Sequence, residues 1–185
     1  AHRKAEHEKR KKADDRNRTI KNCLKRSGIP KRFANRNFDN YRVVNKSAEK
    51  AKIATEYFAK NFDGMSEAGA RLLLCGNPGT GKTHLAAAVS NEICHQGRVS
   101  LFISVIKAIR SIKNTWSRNS EITEDQAMQA LTEPDLLILD EVGVQFGSDA
   151  EKMILFEILN SRYENMKPTI VISNLKPQAV SEYLG

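Results

Sequence analysis

Gly76-Asn77-Pro78-Gly79-Thr80-Gly81-Lys82-Thr83 fits the pattern G-x-x-x-x-G-K-[ST] at every position, and each residue type in it has a chemical task. Glycines at 76, 79 and 81 let the backbone curl so that successive N–H groups point inward. They form a cradle for phosphate oxygens at the positive end of the helix that follows. Lys82 reaches the β- and γ-phosphates of a nucleoside triphosphate, the Thr83 hydroxyl is a ligand for Mg²⁺, and His84 completes the predicted nucleotide-binding run. Further along, Leu136-Leu137-Ile138-Leu139 ends in Asp140-Glu141, four apolar residues followed by two acids. In that arrangement Asp140 holds Mg²⁺, mostly through water, and Glu141 orients and polarises the attacking water. Asn174, after Ile170-Val171-Ile172-Ser173, can bring a neutral amide to the γ-phosphate or to that water. Together these groups have the chemistry of ATP hydrolysis. A small-molecule kinase needs no second acid at that strand end.

The flanking pattern supplies elements to position them. Arg71-Leu72-Leu73-Leu74-Cys75 reads as a short buried strand, and His84 to Val89 as the start of a helix packed on a sheet. Val99 to Ile103 is a second strand, and Val105, Ile109, Ile112 and Trp116 recur on one helix face. Residues 117–134 form a polar connection with a short helix. Leu136 to Leu139 is apolar throughout, as a central parallel strand requires, and Thr169 to Ser173 is the fourth strand. Ser148 and Glu151 predict a capping box for a helix running to about Asn165, and Pro168 forbids its continuation. Upstream, Ser47 is expected to open a helix with Ala54, Tyr57, Phe58 and Phe62 as its apolar stripe, ended by Asp63-Gly64. Strands alternating with helices give an α/β fold with a parallel sheet sandwiched by helices.

Charge divides the chain. Residues 1–50 hold 17 Lys and Arg against 6 Asp and Glu, whereas the remainder holds 13 against 16. Arg3 to Arg26, without Gly or Pro, reads as a long exposed helix or a disordered arm. It is either a solvated charge run or an arm that binds nucleic acid or a partner. The expected division is therefore residues 1–45, a basic helical extension and linker, and residues 46–185, the nucleotide-binding core. No apolar run is long enough to span a membrane, and no signal peptide is visible. Cys23, Cys75 and Cys94 have no metal-ligand spacing and are expected to be buried or inert thiols in a reducing, cytoplasmic setting. The four His residues likewise offer no metal site.

Four stretches together resemble the bacterial and phage replicative-helicase loaders of the DnaC/DnaI type, with ATPases of the IstB type as cousins. They are Arg26-Ser27-Gly28-Ile29-Pro30 with Phe38-Asp39-Asn40-Tyr41, Gly76 through Ala86, Leu139-Asp140-Glu141-Val142-Gly143-Val144-Gln145, and Pro168 to Asn174. The resemblance covers most of the chain and implies an AAA+ core in which the acid-bearing strand stands two positions from the phosphate-loop strand and Asn174 is the sensor. It implies an ATPase that grips a hexameric DnaB-type helicase through an N-terminal segment, self-associates in a ring or spiral, and holds single-stranded DNA. The same resemblance leaves open an IstB-like regulator of DNA transposition. An ATP-binding DNA adaptor that does not hydrolyse is a further alternative, and the Asp140-Glu141 pair speaks against it. It places an arginine finger and a second sensor beyond Gly185, so both ends read as cut and the ATPase of the isolated chain is expected to be weak.

By resemblance, Lys113, Trp116, Arg118 and Asn119 lie where loaders carry a helical element facing the DNA channel, and Ser148 is a further DNA contact. Two of them have a plainer alternative. Trp116 shares the stripe of Ile109 and Ile112 and would then be core; Ser148 would simply cap its helix. Arg162 is expected as an exposed cation at a helix end, where the dipole favours it, rather than as a finger for a neighbouring subunit.

Overall fold

A computed structural model describes residues 2–143 and 148–184. Val144 and Gln145, part of one run on which the resemblance rests, lie outside the described residues, as does Gly185. The chain opens with α1 (His2–Arg26), a single long helix. Then come α2 (Lys46–Lys60) and α3 (Phe62–Glu67). The alternating part runs β1 (Arg71–Cys75), α4 (Lys82–His95), β2 (Ser100–Ser104), α5 (Val105–Asn114) and α6 (Glu124–Thr132). It finishes with β3 (Leu136–Val142), α7 (Asp149–Glu164), β4 (Thr169–Ser173) and α8 (Pro177–Leu184).

All strands pair in parallel in the order β1-β4-β3-β2, so β3 does stand two positions from β1. Alternate residues of β3 feed opposite faces. Leu136 and Ile138 join Phe58, Phe62, Leu85 and Val89 under α2, α3 and α4. Leu137 and Leu139 join Ile109, Ile112, Leu155 and Ile158 under α5, α6 and α7. A strand covered on both faces must be apolar at every position, and β3 is apolar from Leu136 to Leu139.

Several local expectations are corrected. Asn45, not Ser47, caps α2, its Oδ1 accepting from the Ala48 N–H at 2.8 Å. The helix stops at Lys60, and Asp63-Gly64 lies inside α3 instead of ending α2. Its buried face is Ala48, Thr55, Phe58 and Ala59, while Ala54 and Tyr57 look to solvent. Thr55 can be buried because its hydroxyl donates to the Ala51 carbonyl at 2.7 Å.

The cysteines also depart from expectation. Cys23 of α1 and Cys94 of α4 form a disulfide with Cα atoms 5.5 Å apart, a pairing 71 residues apart in sequence that spacing could not reveal. Cys75 is the free thiol, and burial raises its pKa. Beside the disulfide, the Phe102 N–H of edge strand β2 donates to the Ser27 carbonyl at 2.6 Å. Gly28 makes that approach possible: its φ is +72°, and a Cβ there would collide with the Phe102 carbonyl. The end of α1 is thus fastened to both the edge strand and the helix that leaves the phosphate loop.

Candidate nucleotide-binding site

Strand register brings the predicted groups together at the carboxyl edge of the sheet. Cys75 pairs with Ser173, and Ser173 with Val142. The phosphate loop leaves β1, Asn174 leaves β4 and the two acids end β3 side by side. Gly76, Gly79 and Gly81 have φ of +147°, +81° and +89°, conformations in which an L side chain is strained. Lys82 turns back over the loop, where Nζ donates to the Gly76 and Asn77 carbonyls at 2.6 and 2.9 Å. Burial lowers the pKa of its ammonium, and the nearby Asp140 opposes that shift.

The acids stand on an irregularity. Leu139 pairs with Val171 but Val142 with Ser173, so β3 spends one more residue than β4 over the same span. This is a β-bulge, and Glu141 occupies it with φ +64°, a left-handed conformation that costs a non-glycine residue about 1 kcal/mol or more. Ser173 stabilises it from below, its Oγ donating to the Val142 carbonyl at 2.6 Å and accepting from the Leu175 N–H at 3.1 Å. Asp140 accepts from the Glu141 N–H at 2.8 Å and from the Thr83 hydroxyl at 3.4 Å. Burial raises the Asp140 pKa most strongly and the Glu141 charge adds to that. The Glu141 N–H, the Thr83 hydroxyl and Lys82 oppose it.

A cavity of about 200 Å³ is lined by Lys82, Thr83, Asp140, Glu141, Ser173 and Asn174 together with Pro78 and Gly79. One cation, a backbone cradle, two adjacent oxygen donors and an exposed carboxylate converge there. The set suits a polyphosphate. Thr83 Oγ1 and Asp140 Oδ2 are hard oxygen donors at the cavity wall, the type that Mg²⁺ takes. Among the described residues no cluster of three or more His, Cys, Asp or Glu could hold another metal.

Lys113, Trp116, Arg118 and Ser148 are not in that cavity. A second groove of about 680 Å³ lies beside it, lined by Ile109, Arg110, Lys113, Asn114 and Glu151, and Glu141 borders both. Trp116 is not core: α5 ends at Asn114, and the following turn leaves the indole 54% exposed, with Nε1 donating to Glu124 at 2.7 Å. Arg118 and Asn119 are exposed beyond it, and Lys113 pairs with Glu151 at 3.1 Å. Ser148 does cap α7, accepting from the Glu151 N–H at 3.4 Å.

Arg162 is not the exposed cation expected at a helix end. It is 1% exposed, and its guanidinium donates to the carbonyls of Thr132 and Pro134 at 2.9 Å and of Pro168 at 2.6 Å. Burial pushes its pKa down to about 10. A side chain so enclosed cannot reach a neighbouring molecule.

Sequence reasoning passed over Ser173 and Arg110. A hydroxyl ending an otherwise apolar strand, next to Asn174, was the available signal for the first. For the second it was a cation one turn before Lys113.

The family model described as IstB-like ATP binding protein matches residues 5–185. The replicative helicase loader DnaC of Escherichia coli (strain K12) is 36% identical over 171 residues, covering 91% of this chain and 68% of the relative. The replicative helicase loader DnaC of Buchnera aphidicola subsp. Baizongia pistaciae is 34% identical over 166 residues, covering 90% of this chain and 66% of the relative. The chain therefore spans about two thirds of the length of these curated relatives. The crystal structure of the DnaC helicase loader superposes with a TM-score of 0.74 at 28% identity, over 84% of this chain and 90% of that one.

Proposed function

The chain belongs to the IstB-like ATP-binding family with an AAA+ fold, and from that premise we propose an ATP-dependent loader that binds a replicative DNA helicase and assists its placement on single-stranded DNA. The observation that carries the reading is the convergence of Lys82, Thr83, Asp140, Glu141 and Asn174 on one cavity, in a chain similar to helicase loaders along most of its length. We assign the loop amides from Gly76 to His84 to the phosphates, with Lys82 on the β- and γ-oxygens. Thr83 and Asp140 would hold Mg²⁺, which when bound supplies positive charge to the phosphate oxygens. Glu141 orients water in line with the γ-phosphorus and accepts its proton as the bond to the ADP oxygen breaks. Asn174 donates its amide to the γ-phosphate from the end of β4. Self-association in a ring or spiral, single-stranded DNA along the groove beside Glu141, and action in the cytoplasm complete the proposal. Among the described residues no helix is long and apolar enough to cross a membrane.

The protein, mixed with a DnaB-type hexamer and ATP, should co-migrate with it in gel filtration and separate when nucleotide is withdrawn. The family description favours one other reading, an IstB-like regulator of transposition. ATP-dependent filaments on duplex DNA without a helicase complex would establish that reading and sink the loader. Binding of ATP without turnover, even with the helicase and single-stranded DNA present, would identify a non-hydrolysing adaptor.

A further inference from the structure

The segment between the basic helix and the core is fastened along the whole of α4. Asn91 Nδ2, near the end of that helix, donates to the Ala34 and Arg36 carbonyls at 3.0 and 2.8 Å. About two turns nearer the phosphate loop on the same face, His84 Nε2 meets the Asn37 carbonyl at 3.0 Å, so the nitrogen is the donor. The segment is also tied to itself. Asn37 and Asn40 exchange side-chain to backbone hydrogen bonds at 3.1 and 2.8 Å, and Asn40 Nδ2 donates to the Asn35 carbonyl at 2.9 Å. It ends on Tyr41, 8% exposed, whose ring stands edge-on to His84 at 5.1 Å and whose hydroxyl makes a long bond to the Thr80 carbonyl at 3.3 Å.

The contact with the phosphate loop is closer than the hydrogen bond suggests. A Cβ on Gly81 would stand 2.7 Å from Tyr41 Cε2 and 3.1 Å from its hydroxyl, so the ring occupies the space where a side chain would be. The Thr80 carbonyl of the loop faces the 34–41 segment, within reach of a donor there. Tyr41 supplies one at Thr80 while its ring presses on Gly81, the residue whose left-handed φ of +89° starts α4. We propose that Tyr41 is a positioning residue for nucleotide binding, bracing the phosphate loop in its phosphate-accepting conformation and linking the 34–41 segment to it. Displacing that segment would loosen the loop, so whatever grips the extension also sets the affinity for ATP. The inference rests on the reading of residues 76–84 as the ATP site.

The test is titration of the full chain with a fluorescent ATP analogue, together with amide hydrogen exchange and thermal melts, on the unaltered protein, Tyr41→Phe, Tyr41→Leu and Lys82→Ala. Tyr41→Phe keeps the ring and loses one neutral hydrogen bond, so the Kd should rise about three- to tenfold. Exchange should accelerate at Gly79 to Lys82 and stay unchanged in β3 and β4. Tyr41→Leu should lose more, and Phe should restore part of what Leu loses. If Tyr41 only fills the core, both variants melt earlier yet bind ATP as the unaltered protein does, and the brace is overturned. Should Leu fail to fold, Phe alone decides. ATP binding by the unaltered protein that Lys82→Ala abolishes but Tyr41→Phe leaves untouched refutes the brace and keeps the site. Failure of the unaltered protein to bind ATP removes both.

Discussion

The nucleotide cavity and the groove along α5 are neighbours that share Glu141, yet they are built from different materials. The cavity is made largely of backbone: three left-handed glycines, a bulge, and strand ends held in register by apolar residues on both faces. The groove is made mostly of side chains on one amphipathic helix, α5, faced by Glu141, Glu151 and Tyr183, with Val105 and Ile109 buried and Arg110 and Lys113 exposed. A backbone-built site tolerates few residue types at each position, so a short motif betrays it. A site built from exposed side chains tolerates many, and its residues look like any solvated helix face.

That difference can be sharpened by substitution. Glu141→Gln keeps the shape of the cavity and loses the proton acceptor, so turnover should fall about 10²- to 10⁴-fold with ATP binding retained. Turnover equal to the unaltered protein in a phosphate-release assay would assign the base elsewhere. Lys82→Ala removes the cation aimed at the β/γ oxygens and should weaken nucleotide binding by about 100-fold with little change in melting, since the hydrogen bonds of Nζ go to the loop. An unchanged Kd by calorimetry would break the cavity side of the comparison.

On α5 and the turn after it the effects should be smaller and separable from ATP. Trp116→Ala should weaken single-strand DNA binding by about 5- to 150-fold, the worth of one stacked base, and leave the melting temperature almost unmoved. Early melting with intact DNA binding would show that the indole serves its contact with Glu124 instead. Smallest of all, Lys113→Ala should flatten the salt dependence of single-strand binding by about 0.7 in the log–log slope, one phosphate's worth. No change in slope would mean that Glu151 already claims that ammonium.

The same contrast explains what could be read beforehand. The phosphate loop, the acids, Asn174 and the strand alternation were visible because apolar periodicity and glycine placement act locally. The core alternative for Trp116 fails because the stripe of Ile109 and Ile112 continues past the helix only if the helix does, and α5 stops two residues short of it. Arg162 was misread because its acceptors, Thr132, Pro134 and Pro168, are carbonyls from three separate turns that only the fold assembles. The bulge at Glu141 depends on how β3 registers with β4, a relation between strands that neither sequence segment contains alone. The Cys23–Cys94 disulfide is hidden for the same reason.

The strand order also has a consequence in time. β4 follows β1, β2 and β3 along the chain, yet it lies between β1 and β3 and is the only strand paired with β1 among the described residues. Until Thr169 to Ser173 emerge, the phosphate loop and the acids belong to separate pieces of chain. At roughly 5 to 20 residues per second, translation from Thr83 to Asn174 takes about 5 to 20 s. For that interval a nascent chain carries the complete phosphate motif with nothing to fix it opposite Asp140. ATP can therefore act as a ligand that rewards assembly of this sheet, stabilising the chain only after β4 has slid between β1 and β3.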